Sequence, residues 1–436
     1  MSTAKLSTKD IVFIGLMLFS LFFGAGNLIF PPLLGQEAGT NFWPAIIGFL
    51  ISGVGLPLLG VLAITYANSD DAEGLSRRVH PHFAIGLTSL TYLAVGPLFA
   101  VPRTGTVSFE IAIMPLVEAT SLSTNLALFV FTIAFFAMVY WLALHPGKFV
   151  DRIGKILTPA LLTILLFLFI RVLTGPLGSY QAPRPDYENF ALFRGVTEGY
   201  LTMDTIVSFV FAIIIVKVIK DRGVTEPRQI RNVTLKASLV AALCLGGVYL
   251  GLGYLGATSA THIGNQENGG AILSLVSGEY FGVYGNIILG LSILFACIPT
   301  AAGLISSCAT YFHKRLPKLS YKALVISFTL FSAAIANIGL NQLIAFSLPV
   351  LVFIYPIITV LIFLAFLDRI TQGRREVYQL SVPPTGIVSF NDGLQEAGLG
   401  FDLFQSLPFA SLGFGWVIPA IVGGLIGFVV SLIRQR

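Results

Sequence analysis

The stretch "LFSLFFGAGNLIFPPLLG", residues 18–35, contains no charged residue and yet is interrupted by glycine and proline. Its length and composition are typical of a helix that crosses a lipid bilayer. Lipid cannot replace lost backbone hydrogen bonds, so an opened turn is stable only against a cavity lined by protein. Gly24 and Gly26 therefore predict either a broken helix beside a binding site or a close helix contact. Pro31 and Pro32 are expected to bend or end the outer half.

The composition of the whole chain indicates an integral membrane protein. Of its 436 residues, 55% are hydrophobic and 11% are charged, whereas soluble domains typically carry about 25% charged residues. The polar start "MSTAKLSTKD" is followed by an apolar stretch without a cleavage site, which favours a first transmembrane helix over a signal peptide. The net charge is +5, but the basic residues are dispersed between apolar segments, which argues against nucleic-acid binding. No disulfide or metal spacing follows from the three cysteines, Cys244, Cys297 and Cys308.

Apolar stretches of about 20 residues predict ten transmembrane helices. They lie at about 10–35, 42–67, 82–117, 123–144, 152–174, 196–219, 233–260, 284–311, 321–338 and 341–367. Basic connections alternate with acidic or neutral ones, so the positive-inside bias predicts a cytoplasmic N-terminus. A further span at 409–433 is clear, whereas 378–400 is only weakly apolar. The count is twelve if that segment crosses and eleven if it does not, and the charge bias favours twelve.

The sixth span carries a second interruption. It begins "GVTEGYLTMDTIVSFVFAIII" and places Asp204 about three turns inside. An ionisable group at that depth is costly and marks a functional cavity, unless it is a structural acid paired with another helix, for example through Arg103. Five helices separate the two interruptions, which predicts a five-plus-five inverted repeat. The repeats would cover about 10–174 and 196–367, with extra helices at about 378–433, in one domain spanning 1–436.

Four motifs resemble the bacterial branched-chain amino acid:cation symporters, also called branched-chain amino acid transport system II carriers. They are "FGAGNLIFPPLLG" (23–35), "VGPLFAVPRTGTVSFE" (95–110), "EGYLTMDTIVSFVF" (198–211) and "NQLIAFSLPVLVFIYP" (341–356). The resemblance covers about 8–368, and the region after 376 departs from it. It implies an all-α membrane protein of the LeuT-type fold with discontinuous helices 1 and 6. It also implies Na⁺-driven uptake of leucine, isoleucine or valine across the bacterial inner membrane.

The more distant neurotransmitter:sodium symporters are similar in two places. They share a Gly-x-Gly-Asn pattern in helix one and an Ala-Gly-Leu-x-Ser-Ser stretch in helix eight, matched here by "AGLISS" from Ala302. The resemblance implies that Na⁺ is bound by Ser306, Ser307, the Ala302 carbonyl and carbonyls near Gly24. Ile305 stands where a hydroxyl is expected, so the ligand register could shift by one.

A zwitterionic amino acid needs an anion site, an ammonium site and an apolar pocket. Amides at the start of the outer half-helix would receive the carboxylate. Carbonyls of the sixth-span interruption, helped by Asp204, would receive the ammonium. Met203, Phe209 and Tyr92 are candidates for the apolar wall. The residues predicted to bind the substrate are Ala25, Gly26, Asn27, Tyr92, Leu201, Thr202, Met203, Asp204 and Phe209.

Several alternatives stay open. Arg103 and Glu110, seven residues apart, would form an ion pair or a gate in the outer vestibule. Lys155 could carry a proton in place of Na⁺, although its position near the interface suggests snorkelling; an H⁺-coupled transporter of another small neutral amino acid is therefore the alternative. A membrane enzyme is not favoured, because the five histidines (His80, His82, His145, His262 and His313) lie in loops or at helix ends. Nothing in the sequence indicates a soluble sensor domain or an obligate protein partner.

Overall fold

The chain is helical throughout the part that the structure describes, and no β-strand occurs there. The computed structural model describes residues 6–67, 72–118, 120, 122–144 and 148–434, with the backbone alone at 72 and 148–160. The first ten helices are α1 (Thr8–Phe22), α2 (Ala25–Ala38), α3 (Phe42–Leu50), α4 (Leu56–Tyr66), α5 (Ala72–Ser76), α6 (Pro81–Leu93), α7 (Ala100–Ala112), α8 (Met114–Glu118), α9 (Thr124–Leu144) and α10 (Lys148–Thr174). They are followed by α11 (Pro185–Glu188), α12 (Ala191–Tyr200), α13 (Asp204–Asp221), α14 (Pro227–Ile263), α15 (Gly269–Arg315), α16 (Tyr321–Ala336), α17 (Leu340–Thr371), α18 (Arg375–Glu396) and α19 (Val417–Ile433).

The first predicted span is broken at its glycines. Helix α1 ends at Phe22, and α2 begins at Ala25. Phe23 and Gly24 between them have extended backbone dihedrals, with ψ of 99° at Phe23 and −170° at Gly24. The Asn27 side chain stabilises the turn, because its Oδ1 accepts a hydrogen bond from the Gly24 amide at 2.9 Å. The prediction of a discontinuous first helix is confirmed.

The two prolines do not end the outer half. Pro31 and Pro32 both lie inside α2, which continues to Ala38. Proline has no N–H, so neither residue can donate to the carbonyl four positions earlier, that of Asn27 or Leu28. The prolines were expected to bend or end this half-helix, and the second alternative is wrong because α2 continues past both of them.

The sixth predicted span is broken as well. Helix α12 ends at Tyr200, and α13 begins at Asp204 after a bend of 51°. Met203 adopts the left-handed region, with φ of 65° and ψ of 5°. That conformation costs a non-glycine residue about 1–2 kcal/mol, and strained residues of this kind are enriched at ligand sites. The break places Asp204 at the N-terminus of the inner half-helix.

The remaining spans are formed by long or paired helices. Within the described residues, six helices or continuous helix pairs are long and apolar enough to cross a membrane, and the bent pair α12–α13 is a seventh. Residues 161–174, α16 and α19 are apolar but shorter. The weakly apolar segment at 378–400 is also helical, as α18, and packs against α17 and α19. Helix α15 contains a kink at Gly282, before the predicted span at 284–311.

Glycine lets both halves of the first span approach α14 very closely. A Cβ on Gly35 of α2 would lie 1.9 Å from the Gly253 carbonyl oxygen, and one on Gly15 of α1 would lie 2.8 Å from the Ala237 carbonyl oxygen. Real side chains cannot occupy such positions, so only glycine permits these backbone contacts. Small residues at helix contacts are typical of membrane bundles.

The outside of the bundle is apolar. Large hydrophobic side chains such as Phe167, Leu243 and Leu425 are each more than 60% exposed. Lipid rather than water accounts for such a surface, since soluble proteins do not expose it so widely. The structure therefore agrees with a multi-pass membrane protein.

Candidate functional site

The two helix breaks open onto one cavity of about 60 Å³. Its lining includes Gly24, Ala25, Gly26 and Asn27 from the first break and Thr202, Met203 and Asp204 from the second. The rest of the wall includes Arg103 and Thr104 of α7 and Thr300 and Leu304 of α15. Seven of the predicted substrate and cation residues thus lie around a single space.

A buried carboxylate joins the two breaks. Asp204 is only 3% exposed, and its Oδ2 accepts hydrogen bonds from Asn27 Nδ2 at 2.6 Å and from the Tyr249 hydroxyl at 2.8 Å. Asn27 Nδ2 also donates to the Tyr249 oxygen, which closes a triangle of three side chains. Both bonds to the carboxylate end on Oδ2, so Oδ1 keeps the capacity to accept further donors.

Arg103 of α7 also lines the cavity and is 2% exposed. Its Nη1 donates to the Leu201 carbonyl at 2.6 Å, its Nη2 donates to Ser347 Oγ at 3.2 Å, and the guanidinium carbon lies 5.0 Å from the centre of the Phe30 ring. The Nε has no hydrogen-bond partner. Among the described residues, no carboxylate lies within ion-pair distance of this guanidinium. The arginine is a buried cation held by neutral groups.

The predicted ion pair between Arg103 and Glu110 does not form. Glu110 Oε1 instead accepts a hydrogen bond from Asn268 Nδ2 at 3.0 Å. Seven residues along a helix correspond to about 10 Å of rise, which separates the two side chains although they share a face. The suggested pairing of Asp204 with Arg103 is also absent at contact distance among the described residues, although both side chains line the cavity.

Gly26 brings the arginine against the first break. A Cβ at this position would lie 3.2 Å from Arg103 Nη1 and 3.4 Å from the Thr202 carbonyl oxygen. Such contacts are tighter than most real Cβ contacts, so a larger residue would push the arginine or the second break away. The sequence predicted an opened backbone from Gly24 to Asn27. The structure opens it at Phe23 and Gly24 instead, whereas Gly26 lies inside α2 and makes room for the arginine side chain.

The apolar part of the cavity differs in part from the prediction. It is lined by Phe22, Val95, Val207, Phe211 and Leu304. Tyr92 stacks on Tyr311 with ring centres 4.4 Å apart and lines a second, smaller cavity of about 10 Å³. Phe209 is buried, 2% exposed, and lines neither cavity. Leu201 contributes its carbonyl to Arg103 and is absent from the cavity lining.

The residues predicted to bind a cation do not meet in one space in this structure. Gly24 lines the main cavity, and Ser307 lines the second cavity. Ser306 donates its hydroxyl to the Ala143 carbonyl of α9 at 3.3 Å, and Ala302 is buried. Sodium binding by this set stays a prediction. The side chain of Lys155, the alternative proton carrier, lies outside the described residues.

Three polar residues in or next to the site escaped the sequence reasoning: Tyr249, Thr104 and Thr300. Tyr249 lies in the glycine-rich run "LGGVYLGLGYLG". The sequence did contain one signal for Tyr249, namely a phenol in the middle of an apolar span. A buried hydroxyl requires a hydrogen-bond partner, so this residue indicated a polar neighbour. The two threonines gave no comparable signal, since both hydroxyls bond to carbonyls of their own helices.

A second polar cluster lies at the ends of the helices that are predicted to face the cytoplasm. Glu73 of α5 accepts from Arg77 at 2.8 Å and pairs closely with Arg315 at the end of α15. The hydrogen bond from Arg315 lowers the pKa of the Glu73 carboxyl. Arg78, just after α5, pairs with Asp368 of α17. The short helix α5 thus ties together the ends of two long helices.

Comparison with known sequences gives one consistent result. The family described as "Branched-chain amino acid transport protein" matches residues 7–434. The branched-chain amino acid permease BrnQ of Bacillus subtilis (strain 168) is 47% identical over 99% of this chain and 99% of its own length. The permease BraB of the same organism is 49% identical over 98% of this chain and 97% of its own length. The branched-chain amino acid transport system 2 carrier protein of Pseudomonas aeruginosa is 41% identical, covering 96% and 95%.

Two solved structures share the fold. The inward-facing conformation of Mhp1 superposes with a TM-score of 0.62 at 12% identity, over 97% of this chain and 91% of that one. MhsT in complex with L-phenylalanine superposes with a TM-score of 0.59 at 15% identity, over 99% of both chains. At these identities the likeness concerns the fold alone, and it confirms the predicted all-α, LeuT-type architecture. The boundaries of the two repeats stay predictions.

Proposed function

This chain belongs to the branched-chain amino acid transport protein family, and on that premise we propose that it imports leucine, isoleucine or valine by cation-coupled alternating access. Membership of the family places the chain among transport proteins and not among enzymes. One observation carries the proposal: both broken helices meet at a single cavity that is lined by the acid Asp204 and by the first residues of helix α2. Broken helices arranged in this way are the usual substrate sites of secondary transporters.

The polar ends of an amino acid match the two breaks. Helix α2 begins at Ala25, so the amides of Ala25, Gly26 and Asn27 lie in a first turn that has no acceptors within the helix. These N–H groups and the helix dipole favour a carboxylate. Asp204 lines the same cavity, and its carboxylate would accept the ammonium group. Substrate contacts with the Leu201 carbonyl are less favoured, because Arg103 already occupies it.

The apolar wall favours a branched aliphatic side chain. Phe22, Val95, Val207, Phe211 and Leu304 offer hydrocarbon surface. Each CH₂ group buried there contributes about 0.8 kcal/mol. A charged substrate side chain would lose its hydration without gaining an ionic partner from these residues. This contrast explains a preference for leucine, isoleucine or valine over acidic or basic amino acids.

We propose Na⁺ as the coupling ion, with H⁺ as the alternative. The sodium ligands would be the hydroxyls of Ser306 and Ser307, the Ala302 carbonyl and a carbonyl near Gly24. Hard oxygen ligands of this kind suit Na⁺. Because Ser306 currently bonds to the Ala143 carbonyl, sodium binding would require this hydroxyl to turn away from α9. If H⁺ is the driving ion instead, Asp204 is the buried acid in the described cavity that could carry it.

The protein is proposed to lie in the inner membrane of a bacterium with its N-terminus in the cytoplasm. The basic connections after α4, α13, α15 and α17 support this orientation through the positive-inside bias.

Reconstitution into liposomes tests the proposal. Purified protein should accumulate labelled leucine when a Na⁺ gradient is imposed, and unlabelled isoleucine or valine should compete. Lysine and glutamate serve as control competitors and should have no effect. Accumulation that ignores Na⁺ but collapses with a proton uncoupler would replace Na⁺ by H⁺. Uptake that branched-chain amino acids fail to inhibit would overturn the substrate assignment.

A further inference from the structure

The charge of Arg103 has no ionic partner in the described structure. A buried cation is costly unless it is paired or fully hydrogen-bonded. The Leu201 carbonyl, the Ser347 hydroxyl and the Phe30 ring are all neutral, and the buried Nε donates to nothing. A guanidinium has five N–H donors in a planar fork that matches a carboxylate. The side chain is therefore suited to an anion that enters the cavity it lines.

The position of the guanidinium adds a second, independent feature. Arg103 Nη1 lies against Gly26, in the first turn of the fourteen-residue helix α2. The free amides of that turn and the guanidinium therefore approach the same corner of the cavity. A helix N-terminus alone attracts anions weakly, whereas a fully charged donor beside it gives a strong and directional site.

The same cavity lining contains the complementary charge. Asp204 is held by Asn27 and Tyr249 through one oxygen, Oδ2. This fixes the carboxylate in place and leaves Oδ1 for another donor. Arg103 and Asp204 line the same cavity without forming an ion pair, so the space between them can be filled by a molecule that carries both charges.

We propose that Arg103 binds the carboxylate and Asp204 binds the ammonium of a zwitterionic amino acid, so that the two residues select for free amino acids. The inference rests on the proposed function and adds the side chains that recognise the two ends of the substrate. The cavity lining contains one positive and one negative charge, and the substrate adds one of each. A ligand that lacks one of its charges leaves a buried protein charge without a partner.

Leucine and leucinamide provide the test for Arg103, because the amide removes only the carboxylate charge. Affinities are measured by titration of the purified full-length protein, wild type and R103Q. The wild type should bind leucine roughly 10- to 100-fold more tightly than leucinamide, as expected for a charged hydrogen bond. In R103Q, leucine affinity should fall by a similar factor while leucinamide affinity changes little, so the ratio approaches one.

A purely structural role predicts a different result. If Arg103 only holds the Leu201 carbonyl, R103Q weakens both ligands by the same factor and the ratio is unchanged, which overturns the inference. R171Q is the matched control, since Arg171 is exposed on α10 and should leave both affinities unaltered. If R103Q does not fold, R103K serves instead. It keeps the charge but loses the planar fork, so the ratio should fall only in part, and an unchanged ratio would again overturn the inference.

The mirror experiment tests Asp204. The compound 4-methylpentanoate is leucine without its amino group, and the wild type should bind it much more weakly than leucine. D204N should reduce this discrimination, whereas D402N, in an exposed loop, should not. If the wild type binds another neutral amino acid but no branched-chain one, the proposed function is refuted and the inference about the two charges is not. The affinity ratios are then measured with that amino acid, its amide and its analogue without the amino group. A protein that binds no amino acid refutes both.

Discussion

Asn27, in the first turn of one half-helix, donates its side-chain amide to Asp204, the first residue of another half-helix, across 2.6 Å. The two residues are 177 positions apart in the chain. Their contact fastens the two breaks to each other at the cavity wall. It also means that the acid in the site is oriented by the helix that would bind the other end of the substrate.

Replacing Asn27 by alanine should uncouple the breaks. The change removes a donor to Asp204 and the acceptor of the Gly24 amide, and loss of a hydrogen bond to a charged group costs about 1.5–3 kcal/mol. We expect N27A to lower the thermal stability and to abolish leucine uptake. Asn337 bonds only to its own helix, so N337A is the control. Normal uptake by N27A would show that the contact is dispensable.

Removing the Tyr249 hydroxyl should affect the site more selectively. Y249F keeps the ring, which packs edge-on against Phe49, but deletes one hydrogen bond to Asp204. We expect the protein to fold and leucine affinity to fall about tenfold, because the loss of one such bond corresponds to about 1.5 kcal/mol. Y284F changes a tyrosine that is 80% exposed and should bind normally. Equal affinities of Y249F and wild type would remove Tyr249 from the site.

Gly26 should not tolerate alanine. The added methyl group would lie 3.2 Å from Arg103 Nη1 and 3.4 Å from the Thr202 carbonyl oxygen. We expect G26A to fold but to bind leucine at least tenfold more weakly, since the guanidinium must move. A Cβ on Gly86 would meet nothing within 4 Å, so G86A should keep full activity and gain about 0.5–1 kcal/mol from helix propensity. Unchanged leucine binding by G26A would contradict this account.

The two serines of α15 bear on the coupling ion. If Ser306 and Ser307 bind Na⁺, the double variant S306A/S307A should need a several-fold higher Na⁺ concentration for half-maximal uptake. Ser292 lies on the same helix and bonds to its own backbone, so S292A is the control. An unchanged Na⁺ requirement in the double variant would move the cation site elsewhere.

Low pH should weaken the ion pairs of Glu73 around α5 and so lower the stability of the protein. The pKa of Glu73 is lowered by the hydrogen bond from Arg315, so its contribution to stability is present above the ordinary value of 4.5 and is lost as the pH falls through the lowered pKa. We expect the melting temperature of the wild type to drop below pH 4.5 more steeply than that of E73Q. E226Q alters an exposed acid and should follow the wild type. Parallel curves for E73Q and wild type would exclude this role.

The sequence predicted the breaks well because their signals are local. Glycines in an uncharged span and an acid deep in another span have few explanations in lipid, and both led to the correct elements. The residues around the cavity depend on which helices pack together. Those helix contacts cannot be read from the pattern of a single sequence. Tyr249 and Phe211 therefore escaped prediction, and Tyr92 and Phe209 were placed in a wall that they do not line.

Arg103 shows the limit most clearly. Its position on the same face as Glu110 suggested an ion pair, since neighbouring opposite charges in one helix are the simplest explanation of a costly residue. The structure instead gives each side chain a partner from a distant part of the chain, Leu201 for one and Asn268 for the other. Helix periodicity identifies the shared face but not the depth at which each residue lies.

The glycine contacts of α14 have a mechanical consequence. Gly35 brings α2 directly against the α14 backbone, and Gly15 brings α1 against the Ala237 carbonyl and the Val240 side chain of α14. Helices packed this closely resist sliding past one another, so we expect α1, α2 and α14 to move as one rigid unit. Tyr249 of α14 belongs to this rigid unit and donates a hydrogen bond to Asp204. A change in the tilt of this unit would therefore move the Asp204 carboxylate in the cavity. Arg103 lies on α7, which is outside the unit.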